Sequence, residues 1–282
     1  MNKSETIRQF VDASETRGTL WKDLVEIFRE IVEHRELLLQ MTLRDLLLRY
    51  KQTVMGFGWA IFMPVLNMLI FSFLFTRVVP LDTGVPYPLF AYCGLLPWNF
   101  LASSLKFSAV SLNANISLVT KIYFPREIIP ISLVFVCLVD FAVASSVLVA
   151  LMFYYKASVS WSLLFLPVVL LVQIALTTGL SLLIAMGNLF YRDIKYLFEV
   201  VLAVGMFVTP VVYPLDRIHG KLKTLMVLNP MAPIIEAYRS VLLRGTLPDP
   251  GPFLLSVFVS ILILVGGWVI FHRAEFKFAE NI

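Results

Sequence analysis

Reactive side chains are scarce in this sequence. Its 282 residues include two cysteines and three histidines, and Asp, Glu, Lys and Arg together make up only 15%, against about 25% in an ordinary soluble domain. Cys93 and Cys137 stand far apart in apolar runs without CxxC spacing, which gives no sign of a disulfide framework or a zinc site; they read as small buried hydrophobes. His34, His219 and His272 are scattered, and no HExxH or GxxxxGK[ST] occurs, so nothing here hydrolyses ATP by the P-loop route. A cleavable signal peptide is missing as well, because about fifty polar and charged residues precede the first long apolar run, and that run is expected to act as its own insertion signal.

What is abundant is apolar surface: 59% of the chain is hydrophobic and the mean hydropathy is +0.84. A soluble fold has no use for that excess; a bilayer does. The net charge of +4 and pI near 9.0 follow from Lys and Arg gathered on one side of a membrane, and no soluble fold with a basic patch is available to carry nucleic acid. Six segments, at 57–76, 89–105, 128–155, 161–190, 196–213 and 253–271, approach or exceed the roughly 20 apolar residues that cross about 30 Å of hydrocarbon. The second is short and contains Pro97 and Asn99, which predicts a kink with freed backbone groups satisfied by neighbours. The third and fourth are long enough to tilt or project.

The predicted organisation is therefore an all-α membrane protein. An N-terminal arm (1–56) precedes a six-span domain (57–273), and a short tail (274–282) follows. Within the arm, residues 20–39 alternate Trp21, Leu24, Val25, Phe28, Ile31 and Val32 with charged positions at helical spacing, the pattern of an amphipathic helix lying on the inner bilayer surface. Arg44, Arg49 and Lys51 anchor the approach to the first span. Most Lys and Arg fall in this arm and around Lys106, Lys121, Arg126, Arg192, Lys195, Arg273 and Lys277, placing both termini in the cytoplasm. The outward stretch at about 212–250 is too apolar for a plain loop. Interrupted by Asn229, Pro230 and Pro233 and carrying Glu236, Tyr238 and Arg239, it reads as two short helices that re-enter or rest at the outer interface.

Ionisable residues within the spans are costly, at about 2.5 kcal/mol or more near the bilayer centre. Asp140 is the deepest; it lines a transport path or makes an interhelical hydrogen bond. Glu199, near Arg192 and Lys195, is expected to form an ion pair. Ala142, Ser146 and Ala150, and likewise Thr177, Ser181 and Ala185, repeat every fourth residue and offer flat faces for helix packing.

Several runs resemble the permease subunits of polysaccharide-exporting ABC transporters, the Wzm-type O-antigen exporters. They are the stretch from Arg44-Asp45 through RYKQTVMG (49–56) to Trp59, PYPLFAYCGLLPW (86–98), KIYFPR (121–126), YRD (191–193), TPVVYP (209–214) and LNPM (228–231). The resemblance covers nearly the whole chain and implies a homodimer of twelve spans in a bacterial inner membrane. Two copies of a separate cytoplasmic ATPase subunit would hold ATP and Mg2+, while this chain binds no cofactor or metal and is not an enzyme. It also implies a coupling contact with that subunit at Lys121, Ile122, Tyr123, Phe124, Pro125, Arg126 and Glu127, with Arg44 and Arg49 nearby. Trp59, Phe62, Asn67, Tyr92, Trp98, Asp140, Phe207 and Tyr213 become candidates for the conduit of a lipid-linked polysaccharide. The outer gate falls to Asn229, Pro230, Pro233, Glu236, Tyr238 and Arg239. Export of teichoic acid or capsule fits the same motifs. A membrane-embedded glycosyl- or acyltransferase would have only Asp140 to start from.

Overall fold

The computed structural model describes residues 29–51, 53–116, 118, 124–157, 160–215, 220, 226 and 228–275; of the N-terminal amphipathic pattern, residues 20–28 lie outside this set. Among the described residues eight α-helices carry the fold: α1 (Arg35–Tyr50), α2 (Gly58–Phe73), α3 (Tyr87–Ala114), α4 (Ile128–Tyr154), α5 (Leu166–Phe190), α6 (Ile194–Val208), the short α7 (Met231–Arg239) and α8 (Pro250–Glu275). No strand occurs among the described residues. Single π turns extend α2 through Leu74–Val78 and α7 through Ser240–Arg244, and a 3-10 turn, Trp161–Phe165, leads into α5.

Four of these stretches are long and apolar enough to cross a membrane: Gly58–Val78, Ile128–Tyr154, Trp161–Phe190 and Pro250–Glu275. The other two expected spans differ for separate reasons. α3 has ample length at 28 residues, but Asn99, Ser103, Ser104, Lys106, Ser108 and Ser111 dilute its apolar character. α6 has 15 residues, about 22 Å at 1.5 Å per residue, and stops ahead of Pro210 rather than continuing to residue 213.

α3 is the central post. α2, α4, α5, α6 and α7 all pack against it, and α8 packs along α5. Its residues from Tyr87 to Leu96 are buried almost without exception. The helix passes through Pro97 unbroken; there Gln173 of α5 donates to the Pro97 carbonyl at 2.8 Å and accepts from the Tyr238 hydroxyl at 2.7 Å. One apolar cluster fills the space between α3, α4, α5, α7 and α8. A second joins Met41 of α1 to Leu112, Phe124, Ile128, Leu189 and Phe271 at the opposite end of the bundle.

The two small-residue stripes have different fates. Thr177, Ser181 and Ala185 are fully buried. Ala142 and Ala150 are exposed, because α4 turns Val134, Cys137, Ala144 and Leu148 inward instead. The closest helix contact comes from glycines: a Cβ on Gly179 would meet the Ile263 carbonyl at 2.6 Å, and one on Gly267 would meet the Gly179 carbonyl at 2.7 Å. Backbone cannot retreat from such a clash without moving the helix. Gly179→Leu and Gly267→Leu are therefore expected to separate α5 from α8 and lower the melting temperature of the detergent-solubilised protein. Gly266→Ala, which has open space around it, is expected to leave that temperature unchanged or raise it slightly, as replacing a helical glycine is worth up to about 1 kcal/mol.

Candidate functional site

Helix α1 lies across α4 and answers the charge of Asp140. The Arg49 guanidinium donates to one Asp140 oxygen at 2.5 Å and the Tyr50 hydroxyl donates to the other, while the guanidinium rests 3.9 Å above the Phe107 ring. Burial, and after it the Asp140 carboxylate, pushes the Tyr50 phenol up, so it remains a donor. Nearer the start of α1, Arg44 pairs with Asp45 at 2.7 Å and reaches Asn115 at 3.3 Å, and Ser132 donates to Asp45 at 3.4 Å. Asp140 thus has the interhelical hydrogen bonds of one sequence reading, and its carboxylate also lines an open crevice. Depriving a part-buried carboxylate of its partners is costly, which is why α1 is held here.

That crevice, of about 470 Å3, lies between α2, α3 and α4. Arg49, Tyr50 and Asp140 close one end of it; Trp59 and Asn67 of α2, Asn99 and Ser103 of α3, and Phe141 of α4 form its walls. Trp59 packs edge-on against Phe62 at 5.7 Å, and both rings are exposed on the protomer, as is Phe207 of α6. Tyr213 donates back to the Phe207 carbonyl at 2.6 Å. Tyr92 and Trp98 sit instead inside the protomer core: the Tyr92 hydroxyl donates to the Ala144 carbonyl at 2.9 Å, and Trp98 lies against Gly205. Glu199 is exposed and makes no ion pair among the described residues; Lys195 lies over the Tyr196 ring at 4.6 Å instead.

Of the loop before α4, Lys121, Ile122 and Tyr123 lie outside the described residues. Phe124 and Pro125 are buried, Phe124 among side chains of α1, α3, α5 and α8. The Arg126 backbone N–H donates to Glu275 Oε1 at 3.3 Å, and its guanidinium bonds the Glu275 carbonyl and lies 3.6 Å from the carboxylate. Glu127 is buried and meets His272 Nδ1 at 3.1 Å. Glu30, Glu127 and His272 bring one donor atom each within 4.8 Å of one another. These residues are nearly a chain length apart, so spacing gave no hint of the grouping.

At the far end of the bundle residues 209–214, which follow α6, are irregular, and their carbonyls have no helical partners. Arg239, fully buried on α7, supplies them: it donates to Pro210 O at 2.8 Å and Val211 O at 2.6 Å and lies 3.8 Å over the Phe90 ring. Only glycine fits opposite, since a Cβ at Gly94 would come within 2.2 Å of Val211 O and 2.7 Å of the guanidinium. Tyr87 donates to Val212 O at 2.7 Å, Asn229 to Thr209 Oγ1 at 2.8 Å, and Ser256 to Pro230 O at 2.6 Å. Glu236 neutralises the buried charge from 3.6 Å and pairs with Arg244 at 2.6 Å. Pro233 and Tyr238 are buried with the rest of α7 apart from Glu236, which makes this short helix a core element; the other short helix expected before it falls almost entirely outside the described residues. Gln173, which supports Tyr238, escaped the sequence reading, although an amide in the middle of an apolar span was its available signal. Arg239→Met leaves two buried carbonyls unanswered and removes one of the two cations beside Glu236, and is expected to destabilise the protein by about 3 kcal/mol or more. Arg244→Met, at a half-exposed position, is expected to cost under about 1 kcal/mol; thermal melts of the two variants side by side check the difference.

The ABC-2 type transporter family model matches residues 36–243, which takes in α1 through the π turn after α7. The O-antigen export system permease protein RfbA of Myxococcus xanthus is 32% identical over 92% of this chain and 100% of its own length. The RfbA protein of Klebsiella pneumoniae is 34% identical over 87% of this chain and 94% of its own. The polysialic acid transport protein KpsM of Escherichia coli is more distant, at 22% over 79% of this chain and 88% of its own. With a family model spanning most of the helices and relatives aligned nearly end to end, this multi-pass membrane chain belongs to the ABC-2 type transporter family of permeases.

Proposed function

We propose that this chain is the membrane-spanning subunit of an ATP-driven exporter that carries a lipid-linked polysaccharide, O-antigen, across the bacterial inner membrane. The observation that carries the reading is near-complete alignment with O-antigen export permeases at 32–34% identity. Capsular polysaccharide export is the second reading, favoured by the KpsM likeness, and it is the weaker by some ten points of identity. A transferase reading has little chemistry left to use, since Asp140, its one candidate base, is engaged by Arg49 and Tyr50.

In this reading six helices cross the bilayer, with α3 and α6 as the two crossings of lower apolar character or length, and α7 enters from the outer side and returns. Both termini lie in the cytoplasm. A second copy of the chain completes the conduit against the exposed apolar faces of α2 and α6, which bring Trp59, Phe62, Asn67 and Phe207 to its wall. A separate ATPase subunit, holding ATP and Mg2+, bears on 121–127. Movement there reaches three helices at once, because Phe124 packs on α1, Arg126 and Glu127 bond to the end of α8, and Ile128 begins α4.

Deletion of the gene is expected to remove the long-chain glycan ladder from the cell surface, and the wild-type gene to restore it. Tyr123→Ala and Arg126→Glu are expected to restore at most a tenth of that glycan and to lose co-purification of the ATPase subunit. Normal surface glycan in the deletion strain would end the export reading, and normal export by both variants would end the motor-contact assignment.

A further inference from the structure

We propose that Glu30, Glu127 and His272 form a binding site for a divalent transition cation, with zinc the ion that their ligand atoms fit best. The family resemblance supplied no metal, and the site does not rest on the export reading.

Three distant stretches of the chain meet there. Glu30 comes from the helical turn at 29–33 that leads towards α1, Glu127 directly precedes α4, and His272 lies in the last turn of α8. Each brings one donor atom within 4.8 Å of the other two, and His272 Nδ1 stands 3.1 Å from Glu127 Oε1. Ligands at about 2.1 Å from a tetrahedral zinc stand ~3.4 Å from one another, so small side-chain rotations close this set on one ion.

Acidic side chains gathered on a surface would carry no such meaning. Glu127, however, is 2% exposed, and its second oxygen, Oε2, is enclosed without a hydrogen-bond partner. Enclosed hydroxyls without a partner occur too, at Ser104, Thr177, Ser181 and Ser260, but a hydroxyl carries its own proton and can turn it to a carbonyl of the preceding helical turn. A carboxylate oxygen has only lone pairs and must receive a donor or a cation. The other carboxylate oxygen in that condition, Glu236 Oε2, has the Arg239 guanidinium at 3.6 Å. Beside Glu127 the neighbouring arginine is turned elsewhere: the Arg126 guanidinium lies 3.6 Å from the Glu275 carboxylate, and its backbone N–H donates there at 3.3 Å.

The donor set selects the ion. Two carboxylates and an imidazole nitrogen suit zinc and its first-row neighbours, whereas magnesium and calcium take oxygen ligands in larger number. Three protein ligands leave a fourth position for water. An ion held here ties the N-terminal arm to the start of α4 and the end of α8.

Zinc uptake by the full chain in nanodiscs, with its purification tag removed and resident metal stripped by a chelator, tests the proposal. Equilibrium dialysis is expected to show saturable uptake of one Zn2+ per chain that excess magnesium does not displace, and the melting temperature to rise with zinc and fall again on chelation. Cobalt(II) in its place is expected to give the intense visible bands of a four-coordinate ion. Glu127→Gln, which keeps the side-chain shape, and His272→Ala should each weaken uptake by about tenfold or more. Glu30→Gln, at a half-buried position, should do the same and carries the test if the more buried variants fail to fold. The proposal is overturned if the stripped chain takes up no zinc, or if Glu30→Gln and Glu127→Gln bind it as the wild type does. It is overturned too if magnesium at equal concentration displaces the zinc, which marks an unselective group of carboxylates. Uptake that disappears in the Cys93→Ser, Cys137→Ser double variant and survives Glu127→Gln places the ion on the thiols and ends the assignment.

Discussion

A polar group placed among lipid tails has no water to turn to, and the architecture of this chain is arranged around that constraint. Asp140 would be a costly residue in the third apolar run were it not for Arg49 and Tyr50, which reach it from a helix nearly a hundred positions earlier in the chain. The bond therefore fixes more than one charge. It decides where α1 lies, and through Asp45, Ser132 and Asn115 it sets α1 against the ends of α3 and α4. Arg239 solves the converse problem at the other end of the bundle. Pro210 ends α6 and frees carbonyls that a buried guanidinium then collects, with Gly94 leaving the space for it. An ordinary surface loop could dispense with such a residue. A segment buried against α3 and α7 cannot.

These two anchors divide the molecule mechanically. At the α1 end, Phe124, Arg126 and Glu127 tie the start of α4 to α1 and to the last turn of α8. At the other end, α7 binds the irregular 209–214 segment to α3 and, through Ser256, to α8. α3 and α8 thus run between the two knots as packed struts, whereas α2 buries only Pro64, Met68 and Ser72, and α6 buries only Leu202. Helices so loosely held by their own protomer are free to shift against the rest at small cost in packing. That freedom is what a conduit wall needs if it is to open and close, and what a second copy needs if it is to dock.

Helical fold class, the positions of most apolar helices and the peculiarity of the 212–250 region were legible because each rests on a local quantity: run length, periodicity, or proline in an apolar context. α4 matched its predicted bounds to within a residue for that reason, and 161–190 matched outright. α3 exceeded its expected length at both ends because serines and Lys106 interrupt hydropathy without interrupting a helix whose neighbours bury it. Long-range pairings were not legible. Nothing local marks Arg49 as the partner of Asp140 rather than an interfacial anchor, and nothing marks Arg126 as the partner of Glu275. The ion pair expected of Glu199 failed for a related reason: proximity in sequence to Lys195 does not compel contact when that cation can lie over Tyr196 instead.

The same distinction separates the aromatic residues that sequence grouped together. Tyr92, Trp98, Trp59, Phe62 and Phe207 look alike as letters in apolar runs, yet the first two sit on the post around which the protomer packs, and the last three sit on the helices it leaves uncovered. Tyr92 and Trp98, on the stretch of α3 that its neighbours enclose, are spent on core packing; Tyr92 even gives its hydroxyl to Ala144. An aromatic residue on α2 or α6 keeps a free face. Residue type therefore sets what a side chain is able to bind, while the number of neighbours its helix acquires decides whether anything can reach it.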